Sequence, residues 1–228
     1  MSRATIAEGL GTAFLLAAVV GSGIMGDRLA GGNVAIALLA NTLATGAALL
    51  ALILTFGGLS GAHFNPAVTL TEALDGRLGW AAAVGYMVAQ VVGAIAGVLA
   101  AHLMFGEPLV AWSTHVRSGP SQLFSECVAT FGLLAVIRGC SRHRPDATPF
   151  AVAAYIVGAY WFTASTSFAN PAVTLARTLT DTFAGIRPAD AGPFIVSQVV
   201  GALLALGVFR WLLPAPGAPQ DDSRPDLR

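Results

Sequence analysis

Three stretches of this sequence contain no charged residue over the length that a helix needs to cross a lipid bilayer. Residues 34–56, 80–101 and 191–209 run for 23, 22 and 19 residues without Asp, Glu, Lys or Arg. An apolar stretch of about 18 residues or more favours a membrane-spanning helix. The chain as a whole is 55% hydrophobic and only 11% charged, whereas soluble domains carry about 25% charge. We therefore expect an all-α membrane protein.

Six spans are expected, and they divide evenly between two halves of a single domain that covers residues 1–213. The first half occupies about residues 6–103 and the second about residues 121–213. The tail, residues 214–228, is rich in Pro and in charge, a composition typical of disordered segments. The predicted spans are residues 6–25, 34–56, 79–103, 121–138, 148–167 and 192–213.

The two halves carry the same short motifs in the same order. The hexapeptide Asn65-Pro66-Ala67-Val68-Thr69-Leu70 recurs unchanged as Asn170-Pro171-Ala172-Val173-Thr174-Leu175, and the pentapeptide at residues 90–94 recurs at residues 198–202. Their offsets are 105 and 108 residues, so the copies differ only by small insertions. Because each copy holds three spans, an odd number, the second copy must enter the membrane from the other face. The sequence thus predicts an inverted repeat, with its functional site near the bilayer midplane.

Each hexapeptide has the composition of a helix start in the middle of the membrane. Asn is a strong N-cap, and Pro is favoured at the first helical position, where its missing N–H costs nothing. Both motifs lie between apolar spans, so each short helix must dip into the membrane and return. Irregular backbone at that depth is tolerated only where protein buries it or a water-filled cavity accepts it. Two such half-helices from opposite faces predict a pore.

The chemistry of the two helix starts predicts what the pore passes. Each N-terminus carries about half a positive charge from the helix dipole. The side-chain oxygens of Asn65 and Asn170 are expected to cap their helices, which leaves the two amide NH2 groups as donors to the lumen. Donors in a positive potential disfavour cations and protons, whereas neutral hydroxylic solutes can pass.

With these residues the sequence resembles the aquaporin and glycerol-facilitator family over about residues 6–213. The resemblance rests on Ser60-Gly61-Ala62-His63-Phe64 ahead of the first hexapeptide, on the second Asn-Pro-Ala, on Ala7-Glu8 and on residues 89–94. It implies homotetramers with one pore per subunit. It also implies that Glu8 and Glu126, the acidic residues inside the spans, brace the re-entrant loops by accepting backbone N–H bonds. A proton relay is the alternative for intramembrane carboxylates.

The sequence departs from this family at the outer constriction. Three residues after the Asn of the second motif the family normally has Arg, and this chain has Val173. By the same pattern the other filter positions are Thr45, Ser167 and either Gly158 or Tyr160. Thr, Ser and Val, together with Gly where Gly158 is the fourth position, predict a wide, uncharged filter.

Two further residues are candidates for the pore vestibules. Arg177 lies one helical turn beyond Val173 and can lean towards the pore mouth, although a peripheral ion pair with Asp181 at i+4 is the favoured interpretation. His63, two residues before the first Asn, is expected to face the cytoplasmic vestibule. We do not expect His63 to bind a metal ion, because the sequence offers no partner ligands for it.

The distribution of Arg predicts the orientation in the membrane. All twelve basic residues are Arg, and eight of them would be cytoplasmic if both termini lay inside. The positive-inside rule therefore predicts cytoplasmic N- and C-termini. The cluster at residues 138–144 supplies most of this bias, and nucleic-acid binding is not expected of a short loop between two spans. The resemblance to bacterial members of the family suggests a bacterial inner (plasma) membrane.

Together these features predict a passive channel, surrounded by membrane lipids, for small neutral solutes. Candidate solutes are glycerol, urea, undissociated metalloid acids such as arsenous acid, and water; the Val-for-Arg exchange resembles bacterial members linked to arsenical transport. A water-selective channel and an ion-coupled secondary transporter are the alternatives, since inverted repeats with broken helices also build transporters. An enzyme, a cofactor and a metal site are not expected, because the spans hold no nucleophile–base pair and no cluster of metal ligands.

Overall fold

The computed structural model describes residues 1–213 as a bundle of helices, and the tail predicted to be disordered lies outside these residues. The described part of the chain contains no β-strand, in agreement with the predicted all-α class. Single 3₁₀ turns occupy Pro145–Ala147 and Arg177–Leu179. The α-helices are α1 (Arg3–Leu29), α2 (Val34–Ser60), α3 (Pro66–Leu74), α4 (Trp80–Phe105), α5 (Pro120–His143), α6 (Thr148–Phe162), α7 (Pro171–Ala176) and α8 (Pro188–Leu212).

Helices α1, α2, α4, α5 and α8 are long and apolar enough to cross a membrane. Helix α6 is shorter, with 15 residues, which corresponds to about 22 Å. The predicted span at residues 148–167 was therefore too long, because the helix ends at Phe162 and the backbone is already extended at Thr163. The residues that follow are needed for the loop that leads down to Asn170.

The helix order has the form of the predicted inverted repeat. Helices α1–α4 and α5–α8 each consist of two spans, a half-helix and a third span, so α1 and α5 start on opposite faces of the bundle. We call the face where α1 starts and α8 ends the N-terminal face, and the other the opposite face. Half-helix α3 runs from the centre to the N-terminal face, and α7 runs from the centre to the opposite face. The halves interlock, because α2 packs on α6, α3 on α8 and α4 on α7.

Glycines of the repeated pentapeptide allow close helix packing within each half. A Cβ atom on Gly93 would lie 2.1 Å from the carbonyl oxygen of Gly9, and one on Gly201 would lie 2.3 Å from that of Cys127. Only glycine permits backbones to approach so closely. The same contact brings α4 against α1 and α8 against α5.

Matching hydrogen bonds hold the outer ends of the two half-helices. On the opposite face, His102 Nε2 lies 2.7 Å from Thr180 Oγ1. On the N-terminal face, Arg210 Nε donates to Asp75 Oδ1 at 2.7 Å. His102 and Arg210 differ by 108 positions, and Asp75 and Thr180 by 105, which are the offsets of the repeated motifs. The inverted symmetry thus extends to positions at which the residue types have changed.

Candidate functional site

The half-helices α3 and α7 begin at the two Asn-Pro-Ala motifs, with both Asn side chains acting as caps. Asn65 Oδ1 accepts a hydrogen bond from Ala67 N at 2.9 Å. Asn170 Oδ1 accepts from Ala172 N at 3.0 Å and from Val173 N at 3.3 Å. Each Asn thereby satisfies backbone donors that a helix start leaves without a partner.

The amide groups of the same two Asn residues join the re-entrant loops across the centre of the bundle. Asn65 Nδ2 donates to the carbonyl of Ala169, and Asn170 Nδ2 donates to the carbonyl of Phe64, each at 2.7 Å. An amide NH2 group has two hydrogens, so one hydrogen of each Asn remains free to bond to the lumen. The sequence had suggested that both hydrogens face the lumen. The cross-links hold the two helix starts against each other.

The loops that precede the half-helices have an unusual backbone in both repeats. Ala62, Phe64, Ser167 and Ala169 have φ angles of 49°, 47°, 51° and 48°, and Thr166 has 60°. Left-handed conformations cost non-glycine residues of the order of 1–3 kcal/mol each, and they persist only where the surroundings impose them. The contacts of two buried glutamates supply that constraint.

Glu8, buried in α1, binds the first re-entrant loop. Its Oε1 accepts from Ser60 Oγ at 2.6 Å and from His63 N at 3.0 Å. Its Oε2 accepts from Phe64 N at 2.7 Å and from Gln90 Nε2 at 2.8 Å. The carboxylate therefore bonds directly to the strained backbone beside Asn65.

Glu126, buried in α5, makes the equivalent contacts in the second repeat. Its Oε1 accepts from Phe168 N and its Oε2 from Ala169 N, both at 2.9 Å. Gln198 Nε2 donates to Glu126 Oε2 at 2.6 Å and also to Thr174 Oγ1 at 2.8 Å. No role was predicted for this Gln or for Gln90, although the unchanged recurrence of their pentapeptide was a signal that could have identified them.

A cavity of about 330 Å³ runs between the two re-entrant loops. Both Asn65 and Asn170 line its middle. The lining includes apolar side chains of the long helices, namely Leu15, Val19, Leu49 and Ile53, and loop residues including Ala62 and Ala169. Towards the N-terminal face the lining is polar and comprises Glu72, Arg77, Arg138, Ser141 and Thr148.

The candidate filter residues lie towards the other end of this cavity. Thr45, Tyr160, Ser167 and Val173 all line it, and Tyr160 Oη donates to Thr45 Oγ1 at 3.4 Å. Gly158 is exposed on the outside of α6, so of the two alternatives left open by the sequence it is Tyr160 that reaches the cavity.

Arg177 also lines the cavity, which the sequence analysis did not favour. The predicted ion pair between Arg177 and Asp181 is wrong: Asp181 accepts instead from the backbone N–H and hydroxyl of Thr114, and these bonds lower the pKa of its carboxyl. Arg177 Nε donates to the carbonyl of Ala184, and its guanidinium lies over the ring of Phe168 at 3.4 Å from the centroid. The expectation of an uncharged lining at this end therefore does not hold.

His63 lies on the N-terminal-face side of Asn65 and lines the cavity there. Its Nδ1 is 3.0 Å from Thr69 Oγ1, and its ring packs edge-on against Tyr86 with 5.6 Å between centroids. Within residues 1–213 no group of three or more His, Cys, Asp or Glu side chains is placed to hold a metal ion.

An ion-pair cluster secures half-helix α3 at the N-terminal face. Arg138 Nη1 donates to Asp75 Oδ2 at 2.5 Å, beside the bond from Arg210 to Asp75 Oδ1. Partial burial raises the pKa of Asp75, but the hydrogen bonds and charges of the two arginines outweigh it and hold the pKa below its ordinary value. In the sequence, Arg138 indicated only the orientation in the membrane, and its contact with Asp75 was not predicted.

Comparison with known proteins agrees with this architecture. The sequence profile of the major intrinsic protein family matches residues 1–165. An aquaglyceroporin, AqpS, of Rhizobium meliloti (strain 1021) is 55% identical over 213 residues, which cover 93% of this chain and 91% of the relative. A glycerol uptake facilitator of Streptococcus pneumoniae (strain ATCC BAA-255 / R6) is 33% identical over 190 residues, covering 74% of this chain and 81% of the relative.

A solved structure supports the fold independently of close sequence similarity. The X-ray structure of the aquaglyceroporin from Plasmodium falciparum superposes with a TM-score of 0.72 at 22% identity, over 93% of this chain and 97% of that one. Together with the profile match and the extent of the rhizobial similarity, this likeness leads to one conclusion: the chain is an integral membrane protein that belongs to the major intrinsic protein family.

Proposed function

We propose that this protein is a passive transmembrane channel for small neutral solutes, including glycerol, urea and water. The observation that carries the proposal is the cavity of about 330 Å³ that contains both Asn65 and Asn170 and reaches towards both faces of the bundle. Its apolar wall suits the carbon atoms of a polyol. The Asn amides and the polar backbone of the re-entrant loops suit its hydroxyl groups.

The relatives support solutes larger than water. One is named an aquaglyceroporin and another a glycerol uptake facilitator. The branched, apolar Val173 lines this cavity where the family pattern has Arg, and Arg is both longer and charged. We extend the proposal on this ground to undissociated metalloid acids such as arsenous acid, which resemble glycerol in carrying several hydroxyl groups and no charge.

Glu8 and Glu126 support a channel over an ion-coupled transporter. A coupled transporter needs an ionisable group that exchanges its ion or proton with the lumen. Neither glutamate is among the residues that line the cavity, and each carboxylate is bonded to backbone N–H groups and a Gln amide. Their role is to fix the loops beside the pore.

The experiment is stopped-flow light scattering of proteoliposomes in outward-facing gradients of sucrose, glycerol and urea, with arsenite uptake measured in parallel. Empty liposomes and liposomes with Asn170→Asp, which places a carboxylate at the centre of the cavity, serve as controls. We expect faster water, glycerol and urea equilibration than in empty liposomes. Water flux without glycerol or urea flux would support a water-selective channel instead.

We further propose that the N-terminal face is cytoplasmic, that the subunits form homotetramers and that the membrane is a bacterial inner membrane. Arg3, Arg77, Arg138, Arg142 and Arg144 lie at or near the N-terminal face, which satisfies the positive-inside rule. Protease protection of tags placed at residue 1 and in the loop at residues 107–112 tests the orientation. Cross-linking of the purified protein in detergent tests the tetramer.

A further inference from the structure

The opposite-face end of the cavity holds a charged side chain, that of Arg177, whose terminal Nη donors have no protein partner among the described residues. Arg177 is only 2% exposed and lines the cavity. Its Nε is bonded to the carbonyl of Ala184. Within residues 1–213 neither of its Nη atoms makes a hydrogen bond, so four N–H donors are left for whatever occupies the cavity.

The ring of Phe168 determines where this guanidinium lies. Arg177 stacks on it at 3.4 Å from the centroid, and Phe194 packs edge-on against the same ring at 5.4 Å between centroids. The backbone N–H of Phe168 is bonded to Glu126. Phe194 holds the ring of Phe168, and Glu126 holds its backbone. Because the ring is fixed in this way, the guanidinium of Arg177 is pre-organised and does not move freely in the lumen.

A second arginine, from the connection between the repeats, completes the support of this ring. Arg117 lies 5.0 Å from the centroid of Phe168, and its Nε donates to the carbonyl of Gly185 at 2.8 Å. Its backbone N–H is tied to Asp190 Oδ2 at 2.9 Å. Arg117 is not among the residues that line the cavity, so it acts on the pore through Phe168 and through its charge.

An unpartnered hydroxyl lies next to this stack in the chain. Ser167, adjacent to Phe168, is 3% exposed and lines the cavity, and its Oγ has no hydrogen-bond partner among the described residues. A buried hydroxyl without a partner loses the free energy of a hydrogen bond unless a solute or water supplies one. Ser167 and Arg177 together therefore present unsatisfied polar groups to the same cavity.

We propose that Arg177, rather than the residue at position 173, supplies the cationic donor of the outer constriction, and that with Ser167 it forms a binding subsite for the oxygen atoms of small neutral hydroxylated solutes. Residue 177 lies one turn beyond Val173, or about 6 Å nearer the opposite face. The guanidinium over the ring of Phe168 offers a charge and hydrogen-bond donors from position 177. With this arrangement, a pore that has Val173 in place of Arg still presents a fixed positive charge to cations.

This inference rests on the proposed channel function. Its test distinguishes a failure of the Arg177 role from a failure of the channel function. Wild type, Arg177→Met and Arg177→Lys are reconstituted, with Arg28→Met as the matched control. Arg28 is on the same face and also lies over an aromatic ring, that of Phe105 at 5.5 Å, but it is paired with Glu107 and does not line the cavity. Water and glycerol permeability are measured by stopped flow, and sodium leak with an entrapped indicator dye.

Arg177→Met should raise the sodium leak by about tenfold or more, because it removes a unit charge beside the path. Arg28→Met should leave the leak unchanged. Arg177→Lys should keep the sodium leak low but change the ratio of glycerol to water permeability. An ammonium group cannot stack on an aromatic ring as a planar guanidinium does, and it cannot donate two parallel hydrogen bonds.

A wild-type leak in Arg177→Met, or a wild-type permeability ratio in Arg177→Lys, would overturn the inference. If Arg177→Met fails to fold, the ratio measured for Arg177→Lys decides alone. A wild-type protein that passes no solute would refute the channel function itself. A wild-type protein that conducts solutes, together with Arg177 variants that behave like it, would refute only the role of Arg177.

Discussion

Replacing Glu126 with Gln should destabilise the second re-entrant loop by about 2–6 kcal/mol. The change is nearly isosteric, but Gln has one oxygen where Glu has two. In the wild type Oε1 accepts from Phe168 N, and Oε2 accepts from Ala169 N and Gln198 Nε2. In the better orientation of the new amide, its NH2 group faces Phe168 N, so two donors oppose each other and one buried N–H loses its partner.

The magnitude follows from these three bonds. An unsatisfied buried donor costs about 1–3 kcal/mol, and each of the two remaining bonds drops from a charged acceptor to a neutral one, a loss of about 0.5–1.5 kcal/mol. For a chain of this length such a loss lowers the melting temperature by roughly 4–24 °C. The left-handed residue Ala169 beside Asn170 would then relax, and the cavity would lose its shape at the centre.

The assay is thermal unfolding of the purified protein in detergent, followed by solute flux of the same variant. Glu107→Gln is the control, because Glu107 pairs with Arg28 near the surface, where an ion pair contributes about 0–1 kcal/mol. Glu8→Gln should cost at least as much as Glu126→Gln, since Glu8 accepts four hydrogen bonds. Melting of Glu126→Gln within about 1 °C of the wild type would refute the bracing role.

Three further changes have defined outcomes. Val173→Arg should reduce glycerol flux far more than water flux in stopped-flow assays, because it narrows the cavity that Val173 lines and adds a second charge beside Arg177; equal reductions would argue against a constriction there. Gly93→Ala should lower the melting temperature strongly, since the new Cβ would lie 2.1 Å from Gly9 O, whereas Gly57→Ala, which meets nothing within 4 Å, should not. Asp75 has a folded pKa below its ordinary value of 3.8, so its ion pairs stabilise the fold fully above that pH and are lost as the pH falls through the lowered pKa. Asp75→Asn should thus flatten the acid side of the stability profile, and an unchanged acid slope would contradict this assignment.

The features that the sequence could predict are those with local causes. An Asn followed by Pro caps a helix wherever it occurs, so the starts of α3 and α7 were readable from the hexapeptides alone. The long spans follow from uncharged apolar runs. The inverted topology follows from counting three spans in each repeat. None of these inferences requires knowledge of a contact between distant parts of the chain.

The contacts of Arg177 could not be predicted in this way. The i+4 rule that suggested Asp181 as its partner assumes a continuous α-helix, but the chain changes to a 3₁₀ turn at Arg177 and leaves the helix at Thr180. Asp181 is then held by Thr114, 67 positions away. The partner of Arg177, the ring of Phe168, belongs to the re-entrant loop, and no spacing rule links the two.

The sequence left the choice between Gly158 and Tyr160 open for a related reason. Counting back from Asn170 assumes a known loop length, and the loop length depends on where α6 ends. The helix ends at Phe162, so Tyr160 lies in its last turn and reaches Thr45. The residue that faces a pore at a helix end is set by that boundary, which sequence patterns predict only to within a few residues.

A passive channel equilibrates a solute without concentrating it, so passive conduction is best tested by the steady-state distribution of a solute. Proteoliposomes are incubated with radiolabelled glycerol under an imposed proton gradient and, separately, a sodium gradient, and internal and external concentrations are compared over time. We expect fast entry that stops when the two concentrations are equal, with or without either gradient. Accumulation of glycerol above its external concentration, abolished when the gradient is collapsed, would contradict it.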